Sequence, residues 1–132
     1  MNTIAAFGND ENVCRLAENV VEFCVRKLMP RMSTLDICIN IEEDCDVYGY
    51  CLAVNKREFA LEIKGNLNTI DFITTLAHET VHIKQWAKGE MPIDFKAEYT
   101  TQEEYENQPC EIEAYKMERV LTAEYIKEFF GK

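Results

Sequence analysis

The residues best suited to chemistry in this chain are His78-Glu79-Thr80-Val81-His82. On a helix, positions four apart share one face about one turn apart, so both imidazoles can reach one ion. Tetrahedral zinc takes imidazole nitrogen at about 2.0–2.1 Å and suits that spacing. Glu79 is rotated about 100° round the helix from His78. That offset keeps it off the ion but within reach of a water beside it. Hydrolysis needs this division of labour: neutral nitrogen ligands for a metal, and a carboxylate to take and return a proton. The chain has only two histidines and both fall in the pattern, which argues against chance spacing.

Two histidines leave a catalytic zinc site one protein ligand short. There is no third histidine. Thiolates favour closed structural sites, so a carboxylate is the expected third ligand. The candidates stand in Pro109-Cys110-Glu111-Ile112-Glu113-Ala114-Tyr115. Residues two apart on a helix point about 200° apart, so Glu111 and Glu113 cannot face the same way. With Ile112 on the buried side, Glu111, Ala114, Tyr115 and Glu118 form one stripe. The small Ala114 then lets this helix approach the metal helix. The argument favours Glu111 over Glu113.

These residues need elements to position them. Apolar positions at helical spacing predict a first helix over Glu11–Met29, capped by Asn9 or Asp10 and stopped by Pro30. Three strands follow, over Leu35–Glu42, Val47–Val54 and Arg57–Lys64, where apolar residues alternate. Short connections between them predict a three-stranded antiparallel meander. The acidic run Glu42–Asp46 reads as a solvated turn. The metal helix is expected over Ile70–Lys88, beginning at Asn68 or Thr69 and ending at Gly89. Its apolar face is Ile73, Leu76, Thr80, Ile83 and Ala87. Residues 91–108 read as irregular and polar. Pro109 opens a last helix over Cys110–Phe130, which carries the third ligand. The fold class is α+β, in one domain over residues 1–132.

Composition narrows the functions. With 132 residues and a hydrophobic fraction of 47%, the chain can bury a core without covalent staples. The six cysteines include no C-x-x-C pair and read as free thiols packed like small apolar residues. The net charge of −10 makes nucleic acid a poor partner, because neutralising phosphates needs surplus Lys and Arg. No run of about 18 apolar residues is present, so no membrane span is expected. The opening residues lack the basic region and apolar core of a signal peptide. The expected compartment is the cytoplasm, host cytoplasm if the chain is viral.

The motif His78-Glu79-Thr80-Val81-His82, then Gln85-Trp86, then Glu111-Ile112-Glu113-Ala114-Tyr115, resembles the zincin metallopeptidases of the gluzincin type. The likeness is to their minimal, single-domain members from phages and bacteria. It implies a zincin-like fold and one Zn²⁺ per chain held by His78, His82 and Glu111. In that family the third ligand is the first Glu of an E-x-x-A pattern, which falls on Glu111 with Ala114 as the small residue. It also implies Glu79 as general base and a protein or peptide substrate laid as an added strand on a sheet edge. The acidic charge of the chain then favours a neutral or basic segment. Zincins often use a Tyr or His on the oxyanion, and Tyr99 and Tyr105 are candidates. Many gluzincins have Asp after the Ala to support a metal-binding histidine; this chain has Tyr115 there, leaving the support unassigned. Two other readings are a module that keeps zinc for stability without turnover, and an antirepressor-type protease that cuts one partner only.

Overall fold

The computed structural model describes residues 1–93 and 101–131. The chain opens with a strand, β1 (Thr3–Phe7), then helix α1 (Glu11–Leu28) and strand β2 (Asp36–Glu42). A hairpin of β3 (Gly49–Ala53) and β4 (Glu58–Lys64) leads into α2 (Thr69–Ala87). A short helix α3 (Gln102–Glu106) and a long α4 (Pro109–Phe129) close the chain.

Local chemistry sets the helix ends. Asp10 accepts from the backbone N–H groups of Asn12 and Val13, as an N-cap should. Asn68 does the same for Asp71 at the start of α2. Gly89, with φ 74°, takes the left-handed position just beyond α2. Pro109 opens α4, where its missing N–H costs nothing.

The sheet corrects the antiparallel meander. Its order is β1-β2-β4-β3, and it is mixed. β2 lies parallel to β4, with Ile39 opposite Leu61, and β3 is displaced to the far edge. Only the β3–β4 hairpin is antiparallel, with Cys51 opposite Leu61. β1 supplies a fourth strand, parallel to β2 through the α1 crossover. The physical reason lies in the inward side chains. β2 and β4 present Ile37, Ile39, Phe59, Leu61 and Ile63, all nearly without exposure, and these belong at the centre. β3 presents Gly49, Cys51 and Ala53, which suit an edge. Gly49 is required there: a Cβ on it would stand 2.8 Å from Thr75 Cγ2 and 2.9 Å from Ile63 Cδ1. Its absence lets the edge strand sit directly on α2.

Helix α2 runs through the middle of the molecule, against the sheet, α1 and α4. It is buried on nearly every side, from Phe72 to Ala87. Its expected apolar face is buried throughout. Thr75 and Thr80 satisfy their hydroxyls by donating to the carbonyls of Asp71 and Leu76, each at 2.7 Å. On α4 the expected burial of Ile112 is overturned: it is 52% exposed, and the helix turns Glu111, Ala114, Leu121 and Tyr125 inward instead. All six cysteines are free thiols. No helix among the described residues is long and apolar enough to cross a membrane.

Candidate metal centre

The inward face of α4 meets α2 where the two histidines stand. His78 and His82 lie with ring centroids 5.0 Å apart, both buried. Ala114 is fully buried one turn from Glu111, which lets the helices close up. Glu111 reaches into the gap. His78 donates from Nε2 to Glu111 Oε1 at 2.9 Å, and His82 Nε2 lies 3.2 Å from either oxygen. These three side chains form a group able to hold a metal ion, with their ligand atoms within 4.8 Å of one another. Glu113 is not in it. It points to the flank, where Lys84 Nζ donates to it at 2.6 Å.

The outer ring nitrogens are also engaged. His78 donates from Nδ1 to Glu118 Oε1 at 3.2 Å, and His82 from Nδ1 to Gln85 Oε1 at 2.7 Å. Gln85 is itself locked: its Nε2 donates to the Cys110 carbonyl at 2.9 Å and to Glu113 at 2.8 Å. Holding Nδ1–H in this way turns both Nε2 atoms toward Glu111. Glu118 therefore holds His78 from α4, where Tyr115 offers no such hydrogen bond. Its place on the Glu111–Ala114–Tyr115 stripe was the signal for it, because position i+7 from Glu111 returns to the same face.

The electrostatics follow from this packing. Burial works against a charge on His78, but hydrogen bonds to Glu111 and Glu118 outweigh it and raise the ring to about 10. His82 is opposed by burial and raised by Glu111 in the same way. Burial would lift Glu111, yet the hydrogen bonds from both histidines hold it down to about 2. The carboxylate facing both rings thus favours a proton on each of them.

Glu79 stands beside the triad and outside it. Burial lifts its pKa, with His82 and His78 pulling the other way. It is 7% exposed and has no hydrogen-bond partner among the described residues. Two cavities open on either side of it, of about 600 Å³ and about 320 Å³. Both are lined by Gly49 and Tyr50 of the edge strand, by Glu79 and by Tyr105. The phenol of Tyr105 is pushed up by burial, by the charge of Glu111 and by a hydrogen bond to that carboxylate. Tyr105 therefore lies at the site, while Tyr99 is outside the described residues. Trp86 is half-buried, stacked on Phe59 at 6.2 Å, and donates to the Pro92 carbonyl. Helix α3, which carries Tyr105, is absent from the sequence expectation, although Thr101-x-x-Glu104 is a capping signature and Thr101 does cap it.

Comparison with family models, with curated proteins and with solved structures finds no match for this chain.

Proposed function

We propose that the chain is a zinc-dependent peptidase, with the ion held by His78, His82 and Glu111 and with Glu79 as general base. One observation carries the reading: a largely buried carboxylate, with no hydrogen bond among the described residues, lines both cavities beside the triad. A metal kept only to staple the fold has no use for a carboxylate lining the cavities beside it. The donor set fits zinc, with three protein ligands of nitrogen and oxygen leaving a fourth position open. The 2.9 and 3.2 Å separations between donor atoms are near the edge, about 3.3 Å, of a tetrahedron with 2.0 Å bonds.

Bound zinc supplies Lewis acidity that polarises a carbonyl and makes water a competent nucleophile near neutral pH. The chain's own groups do the rest. Glu79 takes a proton from the attacking water and gives it to the leaving amine. Its burial moves its affinity for a proton toward the operating range, which favours both transfers. Glu118 and Gln85 hold the imidazoles in register. The Tyr105 phenol, bonded to Glu111 in the metal-free chain, donates to the oxygen of the substrate carbonyl once that carboxylate holds an ion. The substrate is a peptide or protein segment lying along the two cavities.

The test is cleavage of casein and of a mixed peptide library at matched zinc content. Wild type is expected to cut, to lose activity on chelation and to regain it with zinc. Glu79→Gln is expected to cut about 10²–10⁴ times more slowly. Undiminished cleavage by the variant contradicts the assignment of Glu79. A zinc-loaded wild type that cuts neither substrate contradicts the reading of a general peptidase.

A further inference from the structure

The two cavities beside Glu79 differ in chemistry. The smaller, on the His82 side, is walled by Trp86, Met91 and Cys51. The larger, on the His78 side, is walled by Tyr48, Tyr50, Tyr105 and Tyr115, with Glu118 among them. Tyr48 is 55% exposed and Tyr50 43%, so these rings present surface to whatever enters. Neither cavity has a lysine or arginine in its described lining. Lys84, on the same helix as the two histidines, is spent on Glu90 and Glu113. Among the described residues Glu118 accepts one hydrogen bond, from His78, out of the roughly four lone-pair positions a carboxylate offers.

Charge counting points the same way. The two positive charges of an ion in the triad face three carboxylates, Glu79, Glu111 and Glu118, on a chain of net charge −10. A residual negative charge remains next to four aromatic rings. Aromatic faces with a desolvated carboxylate attract cations, and repel acidic side chains.

We infer that the larger cavity is a specificity pocket for a lysine or arginine side chain next to the bond that is cut. The inference rests on the metal-centre reading and names the substrate class for it. The basic side chain runs between the tyrosine rings and places its charge by Glu118. A neutral chain of the same length gains the ring contact and loses the charge; an acidic one is excluded.

Binding of Nα-acetyl amino-acid hydroxamates to the zinc-loaded wild-type chain, by calorimetry, tests this without turnover. The hydroxamate anchors every probe on the ion alike, and the acetyl group leaves the side chain as the sole difference. Lysine and arginine probes are expected to bind about tenfold tighter than norleucine, the uncharged near-isostere of lysine, with glutamate weakest. The preference shrinks as salt rises. Gln102→Lys places a cation on this cavity's wall from the exposed helix α3, and is expected to erase the preference for lysine over norleucine. Equal binding of all four probes, or tightest binding of norleucine or glutamate, overturns the pocket assignment and leaves the metal centre standing. Failure of every probe to bind overturns the metal centre itself, and the pocket with it.

Discussion

The two histidines share one helix and one carboxylate, yet the molecule supports them in different ways. His82 is held by Gln85, three residues along the same helix, through a neutral amide. His78 is held by Glu118, forty residues away on α4, through a charge. The first support is built as soon as α2 forms and α4 merely locks it through the Cys110 carbonyl. The second exists only once α4 has docked. The difference teaches that half of the site is local and half is tertiary. It also separates two jobs of an outer partner: an amide orients a ring, whereas a carboxylate orients it and raises its basicity.

Removing each support sharpens that contrast. Outer partners of metal-bound histidines are typically worth about 10–100-fold in metal affinity. Gln85→Leu takes away the acceptor for His82 and also the donor to Cys110 and Glu113, so its loss is expected at the upper end. Glu118→Gln keeps an acceptor oxygen and removes only the charge, so its loss is expected at the lower end. Competition with a chromogenic chelator measures both. A larger loss in Glu118→Gln shows that charge outweighs orientation and reverses the contrast.

The sheet side of α2 provides the next comparison. Gly49→Ala forces a methyl group into Thr75 and Ile63, and overpacking of this kind costs about 1–3 kcal/mol. The urea midpoint is expected to fall while the folded protein keeps its zinc affinity. Zinc affinity that falls together with stability ties the edge strand to the ligand geometry.

The smallest effect belongs to the outermost layer. Lys84 and Glu113 form a partly exposed pair that steadies Gln85. Glu113→Gln retains an oxygen for Gln85 and loses the ion pair, which is worth about 1 kcal/mol at most. Zinc affinity is expected to change by less than about fivefold. A loss as large as that of Glu111→Gln makes Glu113 the ligand and breaks the helix-face argument.

How much of this the amino-acid sequence discloses depends on range. His78, Glu79 and His82 are legible because helix geometry turns a spacing of four into proximity. The caps at Asp10 and Asn68 and the stop at Gly89 are legible for the same local reason. Glu111 comes from the stripe of Glu111, Ala114, Tyr115 and Glu118, argued with an incorrect premise: Ile112 faces solvent, and of the stripe Glu111 and Ala114 are buried while Tyr115 is exposed. β1 escapes notice because five residues at the head of the chain carry little periodicity, and its pairing with β2 is made across α1. Parallel pairing of β2 with β4 is invisible for a related reason, since alternation tells which residues face inward but not which strand lies alongside. Glu118 was on the right face, but its task becomes visible only when His78 is placed opposite it.

The central claim is that His78, His82 and Glu111 together hold one zinc, with Glu79 beside it and not bound to it. Zinc per chain, counted by elemental analysis across four proteins, tests that most directly. Wild type and Glu79→Gln are expected to hold about one ion each, and Glu111→Gln and the His78→Ala/His82→Ala double variant to hold almost none. Full occupancy in the double variant would contradict the account and move the metal to the cysteines.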